Sequence, residues 1–119
     1  AIDIGQIEGG FVQGVGWLTT EQLVWTDKGV LATHAPSTYK IPATGDLPQR
    51  LTIELWPEAN HEDNVGGSKA VGEPPFMLGI SVWEAIRDAI AAVPGGKPSA
   101  LVAPATAENV LRAVGGLGE

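Results

Sequence analysis

The stretch GGSKAVGEPPFMLG, residues 66–79, organises the reading of this chain. It sets one carboxylate, Glu73, between a glycine-rich loop and the start of an apolar helix. Proline holds φ near the helical value and has no N–H to donate, so Pro74 and Pro75 suit a first helical turn and little inside a helix. Glu73 is therefore predicted at or just before a helix N-terminus. Behind it, Phe76, Met77, Leu78, Ile80, Val82, Trp83, Ile86 and Ile90 leave Ser81, Glu84, Arg87 and Asp88 as a narrow polar stripe. That pattern predicts a mostly buried helix that carries Glu73 toward the interior. The carboxylate then has two readings. It is a helix cap contributing about 1 kcal/mol, or a general base set against Phe76, Met77 and Trp83.

Upstream, Ile7, Phe11, Val15 and Leu18 recur at helical spacing and predict a helix over residues 5–21. Gly5, Gly9, Gly10, Gly14 and Gly16 stand against it, since each glycine inside a helix costs about 1 kcal/mol relative to alanine. Their usual reason is close approach of another backbone or of a ligand. Gln6 and Gln13 lie two helical turns apart beside Gly9, Gly10 and Gly14. This face is either a smooth ligand surface with two amides that donate and accept, or a tight packing face with its amides in solvent. The run GGFVQGVG is not a dinucleotide fingerprint, because no strand precedes it and the spacing differs.

Residues 22–26 and 30–33, joined by Asp27-Lys28-Gly29, read as a β-hairpin. Residues 36–42 are bounded by prolines and read as extended or looped, and Gly45 begins a turn. Leu51, Ile53 and Leu55 alternate with polar neighbours and predict a half-buried strand through Trp56. His61 lies among Glu58, Glu62 and Asp63 on a hydrophilic loop without ordered ligand spacing, which reads as a solvated face; His34 stands alone. Pro94, Gly95, Gly96 and Pro98 stop the central helix. A last short helix is predicted over residues 104–114 with Thr106 as its cap, followed by a mobile glycine-rich tail. The expected fold class is α+β: a small, mainly antiparallel sheet with helices packed on it.

The 119 residues suffice for one domain, and the start at Ala1 without a methionine suggests a piece of something longer. No run approaches the roughly 18 apolar residues of a membrane span. Seven Lys and Arg against fourteen Asp and Glu give a net charge of −7, which argues against nucleic acid as a partner. There is no cysteine, so this segment supplies no disulfide, thiolate or iron–sulfur ligand.

Three stretches, AIDIGQIEGGFVQGVG (residues 1–16), PSTYKIPA (36–43) and SKAVGEPPFMLG (68–79), closely resemble a known family in sequence, order and separation. The family is that of the molybdenum hydroxylases, the xanthine oxidase and aldehyde oxidase group. The resemblance is to the C-terminal part of their molybdenum-binding subunit, closest in style to bacterial xanthine dehydrogenases. It implies that residues 1–119 are the C-terminal part of a molybdopterin-binding domain. It implies Glu73 as the catalytic general base toward a metal-bound water, Gln6 as a hydrogen-bonding partner near the metal's oxygen ligands, and Ala70, Val71 and Gly72 as backbone contacts of molybdopterin. Gln13 falls one layer further out, and no residue here is expected to ligate the metal directly. FAD and 2Fe–2S clusters are expected elsewhere in the enzyme. The implied reaction is oxidation of hypoxanthine and xanthine to urate in purine catabolism, with a water-derived oxygen, in the cytoplasm. A different substrate, an aldehyde or another N-heterocycle, is the second reading, and a non-catalytic packing module the third. The implied partners are a purine or related heterocycle, the rest of the molybdenum subunit, the subunit holding FAD and the iron–sulfur clusters, and further copies in an oligomer. Neither nucleic acid nor membrane is expected. The isolated chain is expected to bind cofactor weakly and to turn over nothing.

Overall fold

In the computed structural model, which describes residues 1–116, the glycine-rich N-terminal stretch forms a single helix, α1 (Ile2–Thr19). Ile7, Phe11, Val15 and Leu18 are all half-buried, as one shared face requires, yet the fully buried residues of α1 are Gly14 and Gly16. Two short helices explain why: α2 (Glu73–Met77) and α3 (Ile80–Ala91) lie across α1, and the crossing is backbone on backbone. A Cβ on Gly14 would collide with the carbonyl oxygen of Phe76. A Cβ on Gly79 would sit 2.5 Å from the Gly14 carbonyl carbon and 2.7 Å from the Val15 nitrogen. One turn back, a Cβ on Gly10 would meet the Gly72 carbonyl oxygen at 2.8 Å. Phe76 closes the same junction by packing edge-on against Trp17, with ring centroids 5.0 Å apart.

The expected single helix behind Glu73 is thus two helices, broken at Leu78 and Gly79 where the chain presses onto α1. Nor is it mostly buried. Along residues 73–91 the buried positions are Pro75, Gly79 and Ile90, whereas Met77, Leu78 and Ile80 are exposed. Glu73 is exposed as well, so the expectation that the helix carries it inward is corrected. The reason is that α2 meets α1 through its backbone, Pro75 and Phe76, and nothing in the described chain covers the other side.

The expected antiparallel sheet is not formed. Among the described residues, pairing is limited to one isolated bridge between Trp25 and Leu31. The turn at Asp27-Lys28-Gly29 is in the expected place, with Gly29 at φ 72° and its N–H donating to the Thr26 carbonyl at 2.9 Å. Thr26 and Val30 are joined by an N–H···O bond of 2.9 Å, and Ala32 and Val24 by one of 2.8 Å. A lone two-stranded ribbon is marginal in water, so the hairpin stays a turn with one bridge. Residues 51–56 have strand alternation but no neighbour to pair with, and Leu55 and Trp56 are exposed.

The second centre of packing is C-terminal. Ile90 of α3, Leu101, Ala105 and Ala113 of α4 (Ala107–Ala113) form a buried cluster, flanked by Trp83, Ile86, Val110 and Val114. The Thr106 cap is where the sequence places it, its hydroxyl accepting from the Asn109 N–H at 3.3 Å. Gly96 tucks beneath the Ile90 carbonyl and ends the α3 turn, while the Ala105 N–H donates to the Leu18 carbonyl at 2.6 Å and ties this cluster to α1. Residues 117–119, the end of the expected mobile tail, lie outside the described residues.

The whole is open. Its radius of gyration is 17.7 Å, against about 13.5 Å for a compact domain of this length. Its accessible surface is 8923 Å², against roughly 6,100 Å² for a folded monomer of this mass. Trp17, Leu23, Trp25, Val30, Leu55, Trp56 and Val65 all stand exposed, a greater apolar display than isolated surface residues account for.

The crossing fixes a stability order. Gly14→Ala and Gly79→Ala should each destabilise by at least the ~1–3 kcal/mol of core overpacking. Gly5→Ala has open space at its Cβ and should be neutral or stabilising by up to about 1 kcal/mol; denaturant midpoints check the order. Asp46 supplies a pH test. Lys40 first, at 2.7 Å, and the Ala43 N–H second, at 2.8 Å, hold its carboxyl below the ordinary value of 3.8. A folded pKa below the unfolded one contributes stability above pH 3.8 that is lost as pH falls through the folded value. Amide exchange at Ala43 should therefore accelerate on acidification below about pH 4, and Asp46→Asn should remove that pH dependence.

Candidate cofactor cleft

One face of α1 is left uncovered by the crossing. Gly5, Gln6, Gly9 and Gln13 recur at three- and four-residue intervals and therefore share a stripe along the helix. This stripe, with Gly10 and Val12, forms one wall of a cleft of about 480 Å³. Ile41, Pro42, Gly72 and Glu21, the last just past the C-terminal end of α1, complete its lining. A Cβ on Gly5 or Gly9 would meet nothing within 4 Å, so the two glycines leave a groove that side chains would fill. The closed glycines, Gly10 and Gly14, bring the Gly72 loop to this groove, and the open ones leave it empty of side chains.

Of the residues singled out in the sequence, the fold brings Gln6, Gln13 and Gly72 to one cleft. Glu73 follows Gly72 directly as the first residue of α2 and is exposed beside it. Ala70 and Val71 precede it in the same loop, Val71 half-buried, but neither lines the cleft. Ala70 has φ 66°, a left-handed conformation that costs a residue with a Cβ roughly 1–2 kcal/mol. Its N–H is held by the Ser68 hydroxyl at 3.3 Å, and Gly66 and Gly67 before it also have positive φ. Backbone strain of this kind points to a functional constraint on the loop. The sequence reading missed Glu21, Ile41 and Pro42. The last two lie in the quoted PSTYKIPA stretch, which was read as loop, and Glu21 carries no motif of its own.

The cleft suits a flat, polar, hydrogen-bonding ligand. Its floor is backbone and glycine, its amides both donate and accept, and its lip is a loop that presents backbone groups at the start of a helix. Among the described residues no group of three or more His, Asp or Glu is placed to hold a metal ion, and no helix is long and apolar enough to cross a membrane.

Residues 1–48 match the molybdopterin cofactor-binding domain family. Along 95% of its length the chain is 45% identical to a xanthine dehydrogenase/oxidase of Felis catus and 47% identical to that of Gallus gallus. It is 43% identical to an aldehyde oxidase of Homo sapiens over 92% of its length. The likeness is to the molybdopterin-binding part of the xanthine dehydrogenase and aldehyde oxidase family. The matched domain family is one that binds the molybdopterin cofactor, and the similar proteins are oxidoreductases of the molybdenum hydroxylase type. The chain spans only 8–9% of the length of these three proteins, which matches its open surface. They are eukaryotic and lend no support to the expected bacterial style.

The groove can be tested without turnover. Gly9→Val in the full-length protein should lower pterin content at least tenfold, because it fills the groove from the floor. Gly29→Ala, in a remote turn at φ 72°, should leave that content unchanged. Pterin released by oxidation and read by fluorescence measures both.

Proposed function

We propose that residues 1–119 are the C-terminal part of the molybdopterin-binding domain of a molybdenum hydroxylase that oxidises hypoxanthine and xanthine to urate. The observation that carries this reading is the convergence of Gln6, Gln13 and Gly72 on one glycine-floored cleft, with Glu73 at its lip. When bound, the molybdenum cofactor supplies the two-electron oxidation of the substrate carbon. The chain supplies the rest. Glu73 takes a proton from the water whose oxygen enters the product. It stands as the first residue of α2, directly after the Gly72 that lines the cleft. The Gln6 amide holds that oxygen and the neighbouring polar ligands by hydrogen bonds, and Gln13 supports it one helical repeat away. The backbone of Ala70, Val71 and Gly72 holds the pterin edge.

Glu73 is exposed in this chain, and a general base works best where water is excluded. The remainder of a longer polypeptide therefore closes the site over it. That remainder carries the substrate-gripping residues, with FAD and 2Fe–2S clusters housed in other parts of the enzyme, a soluble cytoplasmic oligomer. The 119 residues alone form a half-site without turnover. Identity to an aldehyde oxidase nearly equal to that for the xanthine dehydrogenases supports a second reading, in which the substrate is an aldehyde or another N-heterocycle.

Glu73→Gln in the full-length protein keeps size and hydrogen bonding and removes basicity. Cofactor content should be preserved while xanthine-dependent dye reduction falls by ~10²- to 10⁴-fold. Near-normal turnover would reduce Glu73 to a helix cap. Activity of the unsubstituted protein with aldehydes but not xanthine would move the assignment to the second reading.

A further inference from the structure

Ile41 and Pro42 line the cofactor cleft, yet they belong to a segment without regular secondary structure. Pro42 also borders a second cleft, of about 280 Å³, which it shares with Val12, Thr20, Asp46 and Leu47. With a void on either account at Pro42, side-chain packing alone does not fix how near residues 41–42 stand to α1. Three anchors do. The Thr20 hydroxyl donates to the Lys40 carbonyl at 2.9 Å, across 20 positions of sequence. The Pro42 ring sits against Gly16, where a Cβ would come within 2.5 Å of it. One oxygen of Asp46 accepts from the Ala43 N–H at 2.8 Å and from the Lys40 ammonium at 2.7 Å. Both partners of the Lys40–Asp46 pair are exposed, and such pairs contribute little, so the bonds to the Lys40 carbonyl and the Ala43 N–H carry the restraint.

We propose that Thr20 is a positioning residue for the cofactor cleft: its hydroxyl, together with the Asp46 carboxylate, holds residues 40–43 to the end of α1 and so sets the spacing between Ile41–Pro42 and the Gln6 and Gln13 amides. The two bonds fall on the two peptides that flank this pair. The Lys40 carbonyl belongs to the planar link into Ile41, and the Ala43 N–H to the planar link out of Pro42. Pro42 fixes its own φ between them, so little freedom is left once both links are held. Thr20 is the C-cap residue of α1, the helix that carries Gln6 and Gln13, so the segment is referenced to the element it must face. A threonine hydroxyl at a helix end commonly turns back onto its own helix, as Thr19 does by donating to the Val15 carbonyl at 2.7 Å. Thr20 reaches across to Lys40 instead, and it does not itself line the cofactor cleft. The inference rests on reading that cleft as the molybdopterin site.

The test uses Thr20→Val, Thr20→Ser and Asp46→Ala in the full-length protein matured with cofactor, and reads the rate of pterin release, the denaturant midpoint and amide exchange at Ala43. Thr20→Val keeps the side-chain shape and removes the donor, so pterin release should accelerate by about fivefold, the equivalent of one hydrogen bond. Thr20→Ser restores the donor and should bring release back to within about twofold of the unsubstituted rate. Asp46→Ala should accelerate both Ala43 exchange and pterin release. Thr106→Val is the control: it removes the α4 cap bond to the Asn109 N–H and should lower the denaturant midpoint while leaving pterin release unchanged. Equal acceleration of release by Thr106→Val would reduce the effect to general destabilisation and overturn the proposal. So would unchanged release in Thr20→Val and Asp46→Ala from a protein that holds pterin. Absence of pterin from the unsubstituted, matured protein would instead overturn the cofactor reading, and the role of Thr20 with it.

Discussion

The architecture depends on one contact without side chains, the crossing of α1 by the α2–α3 junction at Gly14 and Gly79. A Cβ on Gly14 would need the space of the Phe76 carbonyl, and a Cβ on Gly79 that of the Gly14–Val15 backbone. A crossing this close fixes translation and rotation together, because any slide along α1 brings a side chain under the Phe76 carbonyl. It also decides where the Glu73 loop goes, since Gly10, one turn before Gly14, takes the Gly72 carbonyl. The functional loop is thus placed by backbone sterics rather than by burial of its own residues, which explains how Glu73 can be fixed in position and still exposed.

The glycines of α1 divide into two stripes. Gly10 and Gly14 are closed against α2, and Gly5 and Gly9 are open to the cleft. Neighbouring positions lie about 100° apart around a helix, so one element presents two smooth faces, one for protein and one for ligand. The price is helix propensity, about 1 kcal/mol for each glycine. The crossing offsets it on one face, and on the open face it remains a cost.

Much of this was legible. The α1 periodicity, the turn at Gly29, the Thr106 cap and the stop before Pro98 are local features, each set by a few neighbouring residues. The expectation that the α1 glycines mean close approach holds for Gly10, Gly14 and Gly16, whereas Gly5 and Gly9 face open space. Residues 51–56 show where local reading ends. Alternation specifies which face of a strand is apolar and says nothing about whether a partner strand is present, and here none is. The burial expected around Glu73 failed for the same reason. Leu78 and Ile80 are apolar, yet nothing among the described residues covers them. Glu21 was illegible in a different way: its significance comes from Gly16 and Pro42, which only the fold brings against it.

The excess surface and the site chemistry have one cause. A chain that leaves Trp17, Trp25 and Trp56 exposed while building a glycine-floored groove has its interior elsewhere, and its relatives are more than ten times longer. Part of the hydrophobic patterning is accordingly left uncovered among the described residues. Contacts that survive in isolation are those of backbone with backbone and of short local caps. The cleft is assembled from close contacts at glycine: Gly10 against the Gly72 backbone, and Gly16 against the Glu21 and Pro42 side chains. Its shape is therefore set before the covering elements arrive. Those contacts lie within the described residues, so the geometry of the cleft is carried by this chain itself.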